Sequence, residues 1–153
     1  MKKIIAILVI LTLMLSGCSK DTDTVQDTVE TAESLEALCT QVGVEINVPS
    51  TARYQEYFVV NSVVARVNYS FNTVFFTHNA SKVLSGTGLS GISDKIQYEN
   101  SITLDNRAEL KFYTYENGMR EAVWTKNGAN HSICTEKNVT DDLLTELCDL
   151  VIK

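Results

Sequence analysis

Two Asn-Gly dipeptides, Asn117-Gly118 and Asn127-Gly128, constrain this chain more than any other feature. Both residue types tolerate positive φ, so the pair between two alternating runs marks a tight hairpin. Residues 108–116, 121–126 and 130–135 supply such runs, and they read as a meander of three antiparallel strands. Upstream, residues 57–77 (YFVVNSVVARVNYSFNTVFFT) are dense in β-branched and aromatic side chains. They predict strands near 55–60, 62–70 and 73–78, with a turn near Phe71-Asn72. A further strand is expected at 96–103. Residues 44–48 alternate apolar and polar like a half-buried strand, which Pro49 ends. Residues 81–94 hold Gly86, Gly88 and Gly91 among Ser and Thr and read as a loop.

Helical spacing occurs twice. Leu35, Leu38, Cys39 and Val42 predict a helix at about 31–42, with Gly43 as its stop. Near the end, Thr140-Asp141-Asp142 supplies a capping side chain and favourable negative charge. Leu143, Leu144, Leu147, Cys148, Leu150 and Val151 follow on a helical period. Strands bracketed by helices imply an α+β domain. The expected architecture is one curved antiparallel sheet of six to seven strands in a meander, with an N-terminal and a C-terminal helix packed on it.

The front of the chain differs in kind. Lys2 and Lys3 precede residues 4–15, which are apolar except for Thr12. A membrane-spanning helix needs about 20 apolar residues, so this shorter run reads as a signal peptide. Leu15-Ser16-Gly17-Cys18 comes next and resembles the lipobox of bacterial lipoproteins. That resemblance implies cleavage before Cys18, recognition of Leu15, Ser16 and Gly17 by the signal peptidase, and diacylglycerol on the Cys18 thiol. The expected division is therefore 1–17 signal peptide, 18–33 lipidated Cys and flexible polar tether, and 34–153 a single domain.

Removal of residues 1–17 takes both Lys2 and Lys3 and no acid, so the net charge goes from −6 to −8. Such a surface does not favour nucleic acid or anionic head groups. The expected membrane partner is reached through the lipid on Cys18, at the outer face of the cell membrane. Residues 19–33 (SKDTDTVQDTVETAE) are too polar to fold alone and read as a tether. Val25, Val29 and Ala32 also fit a backward extension of the first helix.

A second resemblance rests on short motifs. These are Ile46-Asn47-Val48-Pro49, Val67-Asn68-Tyr69-Ser70, Leu89-Ser90-Gly91, Ala122 through Gly128 (AVWTKNG), Ser132-Ile133, and a final helix with Thr140, Leu144 and Leu147. In this order they resemble an uncharacterised extracytoplasmic domain of Gram-positive bacteria. It occurs in lipoproteins and at the outer end of anti-sigma-factor-like membrane proteins. The likeness covers about 34–152, with His131 where that family often has an aromatic. It implies a fold and a location, and a binding or sensing role, with no enzymatic residues to carry over.

Candidate chemistry is sparse. Cys39, Cys134 and Cys148 remain beside Cys18, and an extracytoplasmic setting permits disulfides. Three thiols always leave one free. Cys39–Cys148, Cys134–Cys148 and three reduced, buried cysteines all stay open. His78 and His131 lack metal-ligand spacing, so no metal and no cofactor is expected. Gly88-Leu89-Ser90-Gly91-Ile92 fails the G-x-S-x-G elbow at its last position, and no G-K-[ST] loop exists. Trp124, the only Trp, packs a core or, with Tyr113, Tyr115 and His131, forms a binding surface that Phe75 or Tyr69 extends. The expected function is a lipid-anchored, non-enzymatic binding or sensing domain of unknown ligand. The alternatives are an accessory regulator in an envelope-stress pathway, or an enzyme with an unrecognised site.

Overall fold

The computed structural model describes residues 27–153. The signal segment, Leu15, Ser16, Gly17, Cys18 and the tether up to residue 26 lie outside the described residues. The element order is β1 (Val29–Thr31), α1 (Leu35–Val42), β2 (Arg53–Val60), β3 (Val64–Phe71), β4 (Val74–Ser81), α2 (Thr87–Ser90), β5 (Ile96–Thr103), β6 (Glu109–Tyr115), β7 (Arg120–Lys126), β8 (Ala129–Thr135) and α3 (Asp141–Ile152). The fold is α+β: one open antiparallel sheet with three helices.

The sheet has eight strands in the order β1-β2-β3-β4-β8-β7-β6-β5, which corrects the expected six to seven. It is two four-stranded meanders joined at β4–β8, not one continuous meander. Residues 82–95 cause this difference. They carry the chain from β4 to the far edge, so β8 returns to take the place beside β4.

Turn chemistry sets the registers. Asn72 and Thr73 both adopt positive φ, closing a two-residue hairpin between Phe71 and Val74. Asn127 and Gly128 do the same between Lys126 and Ala129. Asn117-Gly118 works differently. Only Gly118 has positive φ, Gly118 N–H donates to Tyr115 O at 2.9 Å, and Tyr115 N–H donates to Met119 O at 3.0 Å. That is a three-residue loop ending in a left-handed residue.

Three other expectations need correction. Val29–Thr31, assigned to the tether, pairs with β2 through Val29↔Val60 and Thr31↔Phe58. An edge strand is stabilised by its ladder, so it forms without an apolar face of its own. The first helix starts at Leu35, because Ser34 caps it by accepting from Ala37 N–H at 3.1 Å. Residues 44–48 bury Val44 and Ile46 alternately, as read, but the segment is not a strand. It packs its apolar side chains into the core, and Asn47 Nδ2 donates to Val151 O at 3.1 Å.

The two faces of the sheet carry different chemistry. On the first, Val67, Tyr69, Phe76, Ile133, Ala122 and Phe112 meet Leu38 of α1 and Leu144, Leu147 and Cys148 of α3 in one buried cluster. Both long helices therefore lie on the same face. On the second, α2 and its flanking residues form a strap. Leu89 packs with Val60 and Val64, and Ile92 packs with Tyr113, Tyr115 and Val123.

Candidate functional site

The second face is the candidate site, and its rows follow from strand register. Glu56, Asn68, Thr77, Cys134, Glu121 and Tyr113 lie side by side across β2, β3, β4, β8, β7 and β6. Phe58, Arg66, Asn79, Ser132, Val123 and Lys111 form the next row. At the open end Arg53, Ser70 and Phe75 align across β2, β3 and β4.

Beneath the strap these rows build a connected polar network. Arg66 Nε donates to Asn79 Oδ1 at 2.8 Å, and Asn79 Nδ2 donates to Ser132 Oγ at 3.3 Å. The Tyr115 hydroxyl donates to Glu121 Oε2. Glu121 is fully buried, and that burial raises its carboxyl pKa against the lowering effect of hydrogen bonds from Tyr115, Ser90 and Ser132. Burial and the Glu121 contact push the Tyr115 hydroxyl pKa up as well. Ser90 thus ties the strap to the centre of the sheet. Asn130 Nδ2 donating to Leu84 O at 3.0 Å and Asn117 Nδ2 donating to Asp94 Oδ2 at 2.9 Å fix its two ends.

The strap covers only part of this face. Over β2, β3 and β4 two adjoining hollows of about 420 and 560 Å³ stay open and share Thr73 and Phe75. Asn68, Thr77, Met119 and Cys134 line one, and Arg53, Tyr54, Ser70 and Asn72 line the other. Tyr54 and Phe75 stand 75 % and 64 % exposed with ring centroids 6.3 Å apart. Tyr54 sits in a bulge of β2 with φ of 54°. A left-handed backbone is unusual for a large side chain, and here it turns the ring toward Phe75.

Of the sequence-predicted binding residues, only Phe75 is at this surface. Trp124 and His131 are buried on the first face, stacked at 5.1 Å with an interplanar angle of 7°. Tyr113 and Tyr115 are buried on the opposite face under the strap. The strand period decides this: neighbouring strands put Trp124 with Ala122 toward the helices, whereas Tyr113 shares its row with Glu121.

His78 joins the buried stack, with Nε2 at 3.3 Å from His131 Nδ1. Burial keeps both imidazoles neutral, lowering the His131 pKa to about 4 and that of His78 well below its ordinary value. Ser90 and these histidines lie on opposite faces of the sheet, so the structure does not bring them together. Tyr69 is a core residue.

Among the described residues Cys39, Cys134 and Cys148 are free thiols. Cys134 faces the second side of the sheet, where its Sγ lies 3.7 Å from Thr77 O, and Cys148 is in the core under α3. The sheet separates them. Burial pushes the Cys134 thiol pKa up to about 12 and raises that of Cys148 too, which makes both poor nucleophiles. Among the described residues no group of three or more His, Cys, Asp or Glu is placed to hold a metal ion, and no helix is long and apolar enough to cross a membrane.

Sequence reasoning missed Tyr54, Arg53 and the bulge. Phe75 was legible as an aromatic in a strand. Its neighbour Phe76 was a partial signal, since adjacent strand residues point to opposite faces and the two rings cannot both face the helices.

No family model matches the chain, and neither a curated protein nor a solved structure matches it.

Proposed function

We propose that this chain is a lipid-anchored extracytoplasmic binding module that holds its ligand on the open half of the second sheet face. One observation carries the binding part. Both long helices stack on one face, and the strap covers only part of the other, so the exposed Tyr54–Phe75 pair and the hollows beside it are left to solvent. Large exposed aromatics beside convergent polar groups are the composition of a recognition surface. The anchor part rests on Lys2, Lys3, the apolar run of residues 4–15 and Leu15-Ser16-Gly17-Cys18. Two acyl chains on one residue give stable membrane attachment.

Two measurements test the two parts. Intact mass of the membrane fraction is expected to show diacylglycerol on Cys18 in the wild type. Cys18→Ala is expected to lack the lipid and keep its signal segment. An unmodified wild-type thiol removes the anchor reading. For binding, the five phenylalanines of the chain are labelled as 4-fluorophenylalanine and followed by fluorine NMR. Cell-envelope extract is expected to shift the Phe75 signal and leave buried Phe76 and Phe112 in place. An unmoved Phe75 signal rejects the open face as the binding surface.

A further inference from the structure

We infer that the open half of the second face takes an acidic saccharide, its ring stacked on Tyr54 and Phe75 and its carboxylate held by Arg53. This deepens the binding reading above and rests on it. Three features of the site select the ligand.

The first is shape and surface. Tyr54 and Phe75 are a tilted pair, 35° between planes, with both rings reachable from solvent. The weakly polar C–H face of a pyranose packs on an aromatic ring, and two rings at this angle cradle one sugar or two in succession. The strained bulge at Tyr54 keeps its ring beside Phe75 rather than along the strand.

The second is the rim. Ser70, Asn72, Thr73 and Thr51 line the same hollow. Uncharged hydroxyls and an amide both donate and accept, which suits vicinal sugar hydroxyls better than an apolar or a highly charged ligand.

The third is charge. Arg53 is the only charged residue lining that hollow, and among the described residues it has no ion-pair partner. Its planar guanidinium matches a carboxylate in bidentate fashion. Glu56, Glu136 and Lys137 line the adjoining hollow, two acids against one base, so a carboxylate is favoured at the Arg53 end, where the cation stands without an acid in the lining. The ligand is thereby given a direction across the strands.

The test uses the full-length chain purified in detergent, titrated calorimetrically with tetragalacturonate and, separately, with its methyl ester. The acid is expected to bind about tenfold more tightly than the ester. Tyr54→Ala or Phe75→Ala is expected to weaken both probes about tenfold, and Arg53→Gln to make the two probes equal. All three side chains are exposed, so the variants leave the core intact, and Phe75→Tyr is expected to retain binding. Binding that survives both alanine variants overturns the stacking site. Equal binding of acid and ester by the wild type overturns the role of Arg53. If neither probe binds while envelope extract still shifts the Phe75 fluorine signal, the saccharide assignment is wrong and the binding surface stands. If that signal is also unmoved, both readings fall.

Discussion

Glu121 is buried between Tyr115 and Ser132 with no cation beside it among its hydrogen-bond partners, and burial raises its pKa. A carboxyl whose folded pKa is raised contributes stability below its ordinary pKa and loses it as pH rises through the folded one. Glu121→Gln keeps an acceptor for the Tyr115 hydroxyl and removes the buried charge. We expect it to raise stability at pH 7 by about 1 kcal/mol and to change little at pH 4, read from urea midpoints at the two pH values. Lower stability at pH 7 would mean that the ionised carboxylate is what these donors require. Arg107 offers a simpler case. It holds φ of 68° at the end of the β5–β6 loop, where Leu104 N–H donates to Ala108 O and Arg107 N–H donates to Leu104 O. Gly118 fills the equivalent place in the β6–β7 loop without a side chain. Arg107→Gly is expected to stabilise by about 0.5–1 kcal/mol in thermal unfolding, because glycine enters the left-handed region without steric cost.

At the scale of elements, α3 depends on its first turn. The Thr140 hydroxyl accepts from Leu143 N–H at 3.3 Å, and buried Arg120 of β7 donates to Val139 O and pairs with Asp141. One arginine therefore ties the start of the helix to the sheet. Thr140→Ala is expected to cost about 1 kcal/mol. Arg120→Met removes the tie but keeps an apolar stem, and is expected to cost about 2 kcal/mol, discounted because Asp141 is half exposed. Chemical denaturation of both variants checks this: a loss under about 0.5 kcal/mol in Arg120→Met would give the tie no more worth than an exposed ion pair. The apolar side of the same helix carries more. Leu147 is fully buried, and Leu147→Ala is expected to cost about 2–5 kcal/mol through lost burial and the cavity left behind.

At the scale of the molecule, the neutral His78–His131 pair contributes to acid sensitivity. Both pKa values are lower in the folded chain than the ordinary 6.5, so the contribution of the pair is complete above about pH 6.5 and is lost as pH falls toward 4. The share of His131 alone amounts to about 3 kcal/mol at pH 4. Urea midpoints are expected to drop between pH 7 and pH 4, with a shallower drop in His131→Phe, which keeps a ring against Trp124. An identical pH slope in that variant would remove His131 as the cause.

Much of the architecture was written locally. Asn127-Gly128 defines the β7–β8 turn because both residues accept positive φ, and Ser34 and Thr140 mark helix starts because their hydroxyls satisfy free N–H groups. The alternation in residues 62–70 and the helical spacing from Leu143 to Val151 placed β3 and α3 to within two residues at each end, since each depends only on near neighbours. Strand β1 was not legible: Val29–Thr31 is held by backbone bonds to β2, and backbone bonding leaves no side-chain signature. Of the site, only Phe75 was legible, as one strand aromatic among several. Tyr113 and Trp124 look alike as strand aromatics, but partner strands and the strap bury them on opposite faces, and Tyr54 and Phe75 are left exposed at the ends of β2 and β4 that the strap does not reach among the described residues. Periodicity along one strand tells which residues share a face. Which face meets a helix, which meets the strap and which meets water is decided only when segments distant in sequence pack together.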